Sequence, residues 1–108
     1  MMASGKILGA ALGQCVHVAG LCHFLNLCEK HGWKATSLGP AVRPSDLLAA
    51  ARREKPEVVA VSYRLTAEDL EPLLNELRQG IEALPEPKPR WVFGGTAPTA
   101  EKARKSGI

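Results

Sequence analysis

The chain has 108 residues, 45% of them hydrophobic and 23% charged, with a formal net charge of +3. That suffices for one small globular domain, excludes a disordered chain, and leaves no apolar run long enough to span a membrane. With one Tyr and two Phe and no basic stripe, the composition also argues against nucleic-acid binding.

The opening residues Met1 to Lys6 lack the charged head, apolar middle and cleavage site of a secretory signal, so a cytoplasmic protein is expected. Lys6 to Leu12 is a short, almost wholly apolar run that reads as a strand buried on both faces. Gly13 breaks it. From about Val18 to His31, the residues Val18, Leu21, Cys22, Leu25 and Cys28 follow helical spacing, and Gly32 supplies the stop. Lys34 to Leu38 is a second strand candidate, punctuated by Gly39-Pro40. Pro44 suits the first turn of a helix. Ser45 to Lys55 continues it, with Leu47, Leu48 and Ala51 inward, and Pro56 ends it.

Glu57 to Ser62 contains Val-Val-Ala-Val, the clearest buried strand. Thr66 then predicts a helix cap, with Asp69 as the reciprocal acid. The helix runs on through Leu70, Leu73, Leu74, Leu77, Ile81 and Leu84. Pro85-Glu86-Pro87-Lys88-Pro89 reads as a stiff, extended connector. Arg90 to Phe93 gives a fourth strand that ends at Gly94-Gly95, and Pro98 to Lys105 a short helix.

Strands and helices therefore alternate, which predicts a parallel sheet covered on both faces. Right-handed crossovers favour a flavodoxin-like three-layer α/β sandwich with strand order 2-1-3-4. That order normally continues to a fifth strand, which would begin about where the chain stops. Residues 1–108 are accordingly expected to be a single domain, a fragment or module of a larger protein. The edge of strand four would be open to a partner or to a second copy in a homo-oligomer.

The three cysteines, Cys15, Cys22 and Cys28, form no Cys-x-x-Cys pair and imply no disulfide framework. Cys22 and Cys28 read as small hydrophobes in a helix. The spacing of Cys15, His17, Cys22 and His23 matches no common zinc pattern. His23 and His31 read as ordinary helix residues, and Trp33 and Trp91 as packing residues.

Three features converge on the carboxyl edge of the predicted sheet, where open α/β sheets bind ligands. They are the loop Gly13-Gln14-Cys15-Val16-His17-Val18-Ala19-Gly20 after strand one, Ser62 at the end of strand three, and Gly94-Gly95 at the end of strand four. Strands one, three and four are neighbours in this topology, so a histidine, a hydroxyl and a backbone bare of side chains would share one crevice. Rival α/β readings fit less well. A phosphoacceptor receiver domain needs acids after strand one and an Asp ending strand three. A flavodoxin needs a hydroxyl-rich phosphate loop, and a dinucleotide fold needs Gly-x-Gly-x-x-Gly; neither is present.

In Cys15-Val16-His17-Val18-Ala19-Gly20, Ser62-Tyr63-Arg64 and Gly94-Gly95 the chain resembles the cobalamin (corrinoid)-binding domain family. The family pattern is Asp-x-His-x-x-Gly, then Ser-x-Leu, then Gly-Gly. The resemblance implies base-off binding, with the nucleotide tail displaced and His17 as lower axial ligand to cobalt, a metal for which imidazole is well suited. It implies a cofactor site of Gln14, Cys15, Val16, His17, Val18, Ala19, Gly20, Ser62, Arg64, Gly94 and Gly95. Gly20 would let the helix start close to the sheet and leave a cavity beside strand one for the tail. Ser62 would hydrogen-bond the tail or the histidine's partner, and Gly94-Gly95 would let ribose and phosphate pass the backbone.

Two positions depart from the pattern. Cys15 replaces an Asp that orients the histidine and raises its basicity, and a neutral thiol is a poor acceptor for that purpose. Arg64 replaces Leu, and a guanidinium there could meet a phosphate or corrin amide, or could point to solvent. The implied function is a cofactor-carrying domain for adenosylcobalamin or methylcobalamin, serving a mutase (isomerase) or a methyltransferase through a substrate-binding catalytic partner. Methyl-carrying members often have a helical cap, for which this chain has no room; that tilts the expectation slightly toward a mutase-type module, or a fusion whose other parts were removed. The alternatives are a corrinoid-sensing or storage module and a degenerate interaction domain.

Overall fold

The computed structural model describes residues 5–13 and 18–107. Its elements are β1 (Lys6–Ala11), α1 (Ala19–Lys30), β2 (Lys34–Ser37), α2 (Pro44–Glu54), β3 (Val58–Tyr63), α3 (Ala67–Glu82), β4 (Arg90–Gly95) and α4 (Ala97–Lys105). The four strands form one sheet in the order β2-β1-β3-β4, every neighbouring pair parallel. This is the flavodoxin-like α/β arrangement that the alternation of apolar runs predicts. Among the described residues, no helix is long and apolar enough to cross a membrane.

The two faces of the sheet are covered unequally. Leu8, Val59, Val61 and Tyr63 join Leu47, Leu70, Leu74 and Leu77 in the larger core, under α2 and α3. The other core is small: Ile7, Ala60, Leu21 and Leu25, with Cys28, Trp33, Ala35 and Val58 packed against it. Successive strand residues alternate between faces, so Val58, Ala60 and Ser62 of β3 face the α1 side, in register with Arg90, Val92 and Gly94 of β4. Helix α1 closes over β1 and β2 and leaves the β3–β4 half of this face open. Hence Val92 is 43% exposed and Phe24 40% exposed.

Local chemistry sets the element ends. Thr66 Oγ1 accepts from the Asp69 N–H at 3.2 Å and starts α3; among the described residues the Asp69 carboxylate makes no return bond, so half of the predicted capping box forms. Helix α2 ends at Lys55, with φ 51° and its N–H bonded to Ala51 O. Pro56 disfavours the right-handed helical region at the residue before it, so the helix does not run on through Lys55. Strand β3 runs one residue past Ser62 to Tyr63, and β4 takes in both glycines. Of the α1 residues read as apolar, Leu21 and Leu25 are buried, whereas Cys22 is an exposed thiol. Burial pushes the Cys28 thiol up from its ordinary pKa.

The proline-rich connector differs from the extended spacer expected. It turns back so that Lys88 Nζ donates to Ile81 O at 3.0 Å, Glu82 O at 2.9 Å and Leu84 O at 3.0 Å. Helix α3 has no basic residue in its last turn. Lys88 therefore supplies both the donors and the positive charge that its carbonyl end lacks. Lys88→Met keeps the stem and loses these bonds; it is expected to cost about 1 kcal/mol, lowering Tm by roughly 5 °C in a thermal melt.

Candidate functional site

The open half of the α1 face is a crevice of about 890 Å³ at the carboxyl ends of β3 and β4. One wall is the start of α1, with Val18, Ala19, Gly20, Leu21 and Phe24; the floor and far wall come from β3 and β4. Of the residues expected at the site, Val18, Ala19, Gly20, Ser62, Arg64, Gly94 and Gly95 all line this one crevice. Gln14, Cys15, Val16 and His17 lie outside the described residues.

Ser62 is buried, 9% exposed, and its carbonyl accepts from the Leu12 N–H at 2.9 Å. Its hydroxyl makes no hydrogen bond among the described residues, so a polar group lies against the crevice without a partner. Arg64 follows the last residue of β3 and is exposed. It is the one charged side chain among the described residues that line the crevice, and it forms no ion pair or hydrogen bond among them. Helix α1 begins at the same place without a side-chain cap and without an acid in its first turn. Its free N–H groups and the positive end of its dipole therefore border the crevice.

The cavity differs from expectation in one respect. It lies over β3 and β4, and none of its lining residues comes from β1. Gly20 is not a point of close approach either, since a Cβ there would meet nothing within 4 Å. The tight contact is at Gly9 of β1, where a Cβ would come within 2.9 Å of Leu25 Cδ1 and 3.1 Å of Leu21 Cδ1. Gly9 seats α1 on β1, while Gly20 leaves the crevice open. Leu21, Phe24, Ala60, Val61, Val92 and Phe93 also line the site and were not singled out in the sequence. The spacing of Gly20 and Phe24, four apart on one helix face, was the available signal.

The two glycines of β4 have opposite surroundings. A Cβ on Gly94 would meet nothing within 4 Å, whereas one on Gly95 would collide with the Tyr63 carbonyl oxygen and lie 2.6 Å from Thr99 Oγ1. Thr99 is fully buried and donates to Tyr63 O at 3.2 Å, so neither atom has room to retreat. Gly95→Ala should therefore destabilise the fold by about 2 kcal/mol or more. Gly94→Val should leave stability unchanged or raise it by about 0.5 kcal/mol, as a glycine in a strand is itself unfavourable. Urea unfolding of the two variants measures the contrast.

Three solved structures share the fold. A cobalamin-binding protein from Desulfitobacterium hafniense DCB-2 superposes with a TM-score of 0.79 at 22% identity, over 96% of this chain and 50% of that one. The methanol:cobalamin methyltransferase complex of Methanosarcina barkeri gives 0.74 at 22% identity, over 85% and 34%. The monomethylamine corrinoid protein of Methanosarcina barkeri gives 0.64 at 21%, over 94% and 56%. The chain thus spans about a third to just over half of the chains it matches. No curated protein matches it. The model of the B12 binding domain matches residues 5–108, and with that match, on this fold and around this crevice, the chain belongs to the B12-binding domain family, whose cofactor is cobalamin.

Proposed function

We propose that the domain carries its corrinoid base-off, with the displaced nucleotide tail in the crevice between α1 and β4 and with His17 as lower axial ligand to the cobalt. The observation that supports this most is the crevice itself. Its volume of about 890 Å³ lies within the roughly 300–1,000 Å³ usual for small-molecule and cofactor sites. The residues lining the crevice fit such a tail. Gly94 and Gly20 leave the walls free of side chains. Leu21, Phe24 and Val92 offer apolar surface to an aromatic base, and the Ser62 hydroxyl offers a hydrogen bond. Residue 17 stands one position before Val18 in the sequence, and Val18 lines the crevice.

When bound, the corrinoid supplies a cobalt centre able to hold a methyl group or to generate a radical, and the protein sets its ligation. Methyl transfer is the chemistry named for the methanol:cobalamin methyltransferase complex that shares this fold. We infer the same class here, with a substrate-binding catalytic partner approaching the upper face. The domain's own work is to hold the cofactor and fix the lower ligand; it has no catalytic residue of its own in this reading.

Hydroxocobalamin added to the purified protein and then desalted should leave a stoichiometric visible spectrum of the histidine-ligated form. His17→Ala should lose that signature and weaken binding by about tenfold or more. Gly94→Val should abolish retention while the fold melts normally. A wild-type protein that emerges from the column colourless overturns the proposal. Cys15→Asp restores a carboxylate two residues before the ligand. It should tighten coordination by about tenfold, the effect of a partner that orients a metal-bound imidazole, read as a lower Kd in an absorbance titration.

A further inference from the structure

We propose that Arg64 makes this crevice selective for corrinoids that carry the phosphate of the nucleotide tail, over those that lack it. The inference rests on the tail-binding reading above and adds a specificity determinant particular to this chain. Three independent observations meet at the same point. Arg64 is the one charged side chain among the described lining residues. It is uncommitted, although Glu68 and Asp69 follow it closely in the first turn of α3. Most other basic residues have partners: Arg43 pairs with Asp46, Lys102 with Glu71, and Arg104 with Glu101.

Beside Arg64, Ser62 is a buried residue whose hydroxyl faces the crevice and makes no hydrogen bond among the described residues, able to donate to an oxyanion. Across the crevice, α1 presents an N-terminus with neither cap nor acid, which favours negative charge. Gly94, paired with Ser62 on the neighbouring strand, has open space where a side chain would stand. No acidic residue is among the described lining residues. A corrin ring carries neutral amides; the phosphate is the anionic group of the tail. A planar guanidinium with five donors suits that group, and a Leu at the position would be indifferent to it.

The test uses two corrinoids that differ only in a phosphate, cobinamide and cobinamide phosphate, with cobalamin as the full-length probe. Absorbance titration gives Kd for each at low and high salt. The wild-type protein should prefer cobinamide phosphate by about fivefold at low salt, and the preference should shrink as salt screens it. Arg64→Leu should erase the preference without weakening cobinamide, and Arg64→Lys should keep part of it. Because Arg64 is exposed, these variants are expected to fold, and the salt dependence of the wild type tests the idea without any variant. Cobalamin binding with no phosphate preference, or a preference that survives in Arg64→Leu, overturns this inference alone. Failure of the wild type to bind any of the three corrinoids overturns it together with the tail-binding reading.

Discussion

One helix cannot cover a face of four parallel strands, and everything at the candidate site follows from that shortfall. Parallel strands are hydrophobic on both sides and need layers above and below. Among the described residues α2, α3 and α4 pack on one side, while α1 alone serves the other, seated by the contact of Leu21 and Leu25 with Gly9. The uncovered part runs over β3 and β4, at the end of the sheet where the helix begins. A ligand placed there would cover apolar surface that the described residues leave open. Its binding would then draw on the same burial of apolar surface that stabilises the rest of the domain.

The crevice is consequently amphipathic in a definite way. Phe24, Leu21 and Val92 give its depth an apolar character, while Ser62, Arg64 and the opening turn of α1 supply donors. Donors without acceptors are unusual in an interior left to itself, because unpaired buried polar groups are costly. Such an arrangement suits an occupant with an apolar body and acceptor oxygens, which is the description of a nucleotide loop.

Much of this was legible in the residues. The runs at Lys6 to Leu12, almost wholly apolar, and Val58 to Val61, mostly β-branched, are strands because each is too short for a helix and too apolar for an exposed loop. Thr66 starts its helix as its hydroxyl dictates. Ser62 and the glycine pair fell at corresponding strand ends, and register pairs Ser62 with Gly94. The cavity's position was less legible. Gly20 suggested close packing on β1, but whether a helix glycine admits a neighbour or leaves a space depends on what stands opposite, a long-range fact. The role of Lys88 was hidden for the same reason: three prolines in five residues suggest stiffness, and only the fold shows that they aim an ammonium group at the end of α3.

Strand β4 is the outer strand beside the crevice, and its geometry restricts how two molecules can meet there. Every pairing inside the sheet is parallel, yet copies related by a twofold axis must run their outer strands in opposite directions. A symmetric dimer across that edge would set Arg90 of each molecule near Gly95 of the other and leave the two binding mouths facing away from each other.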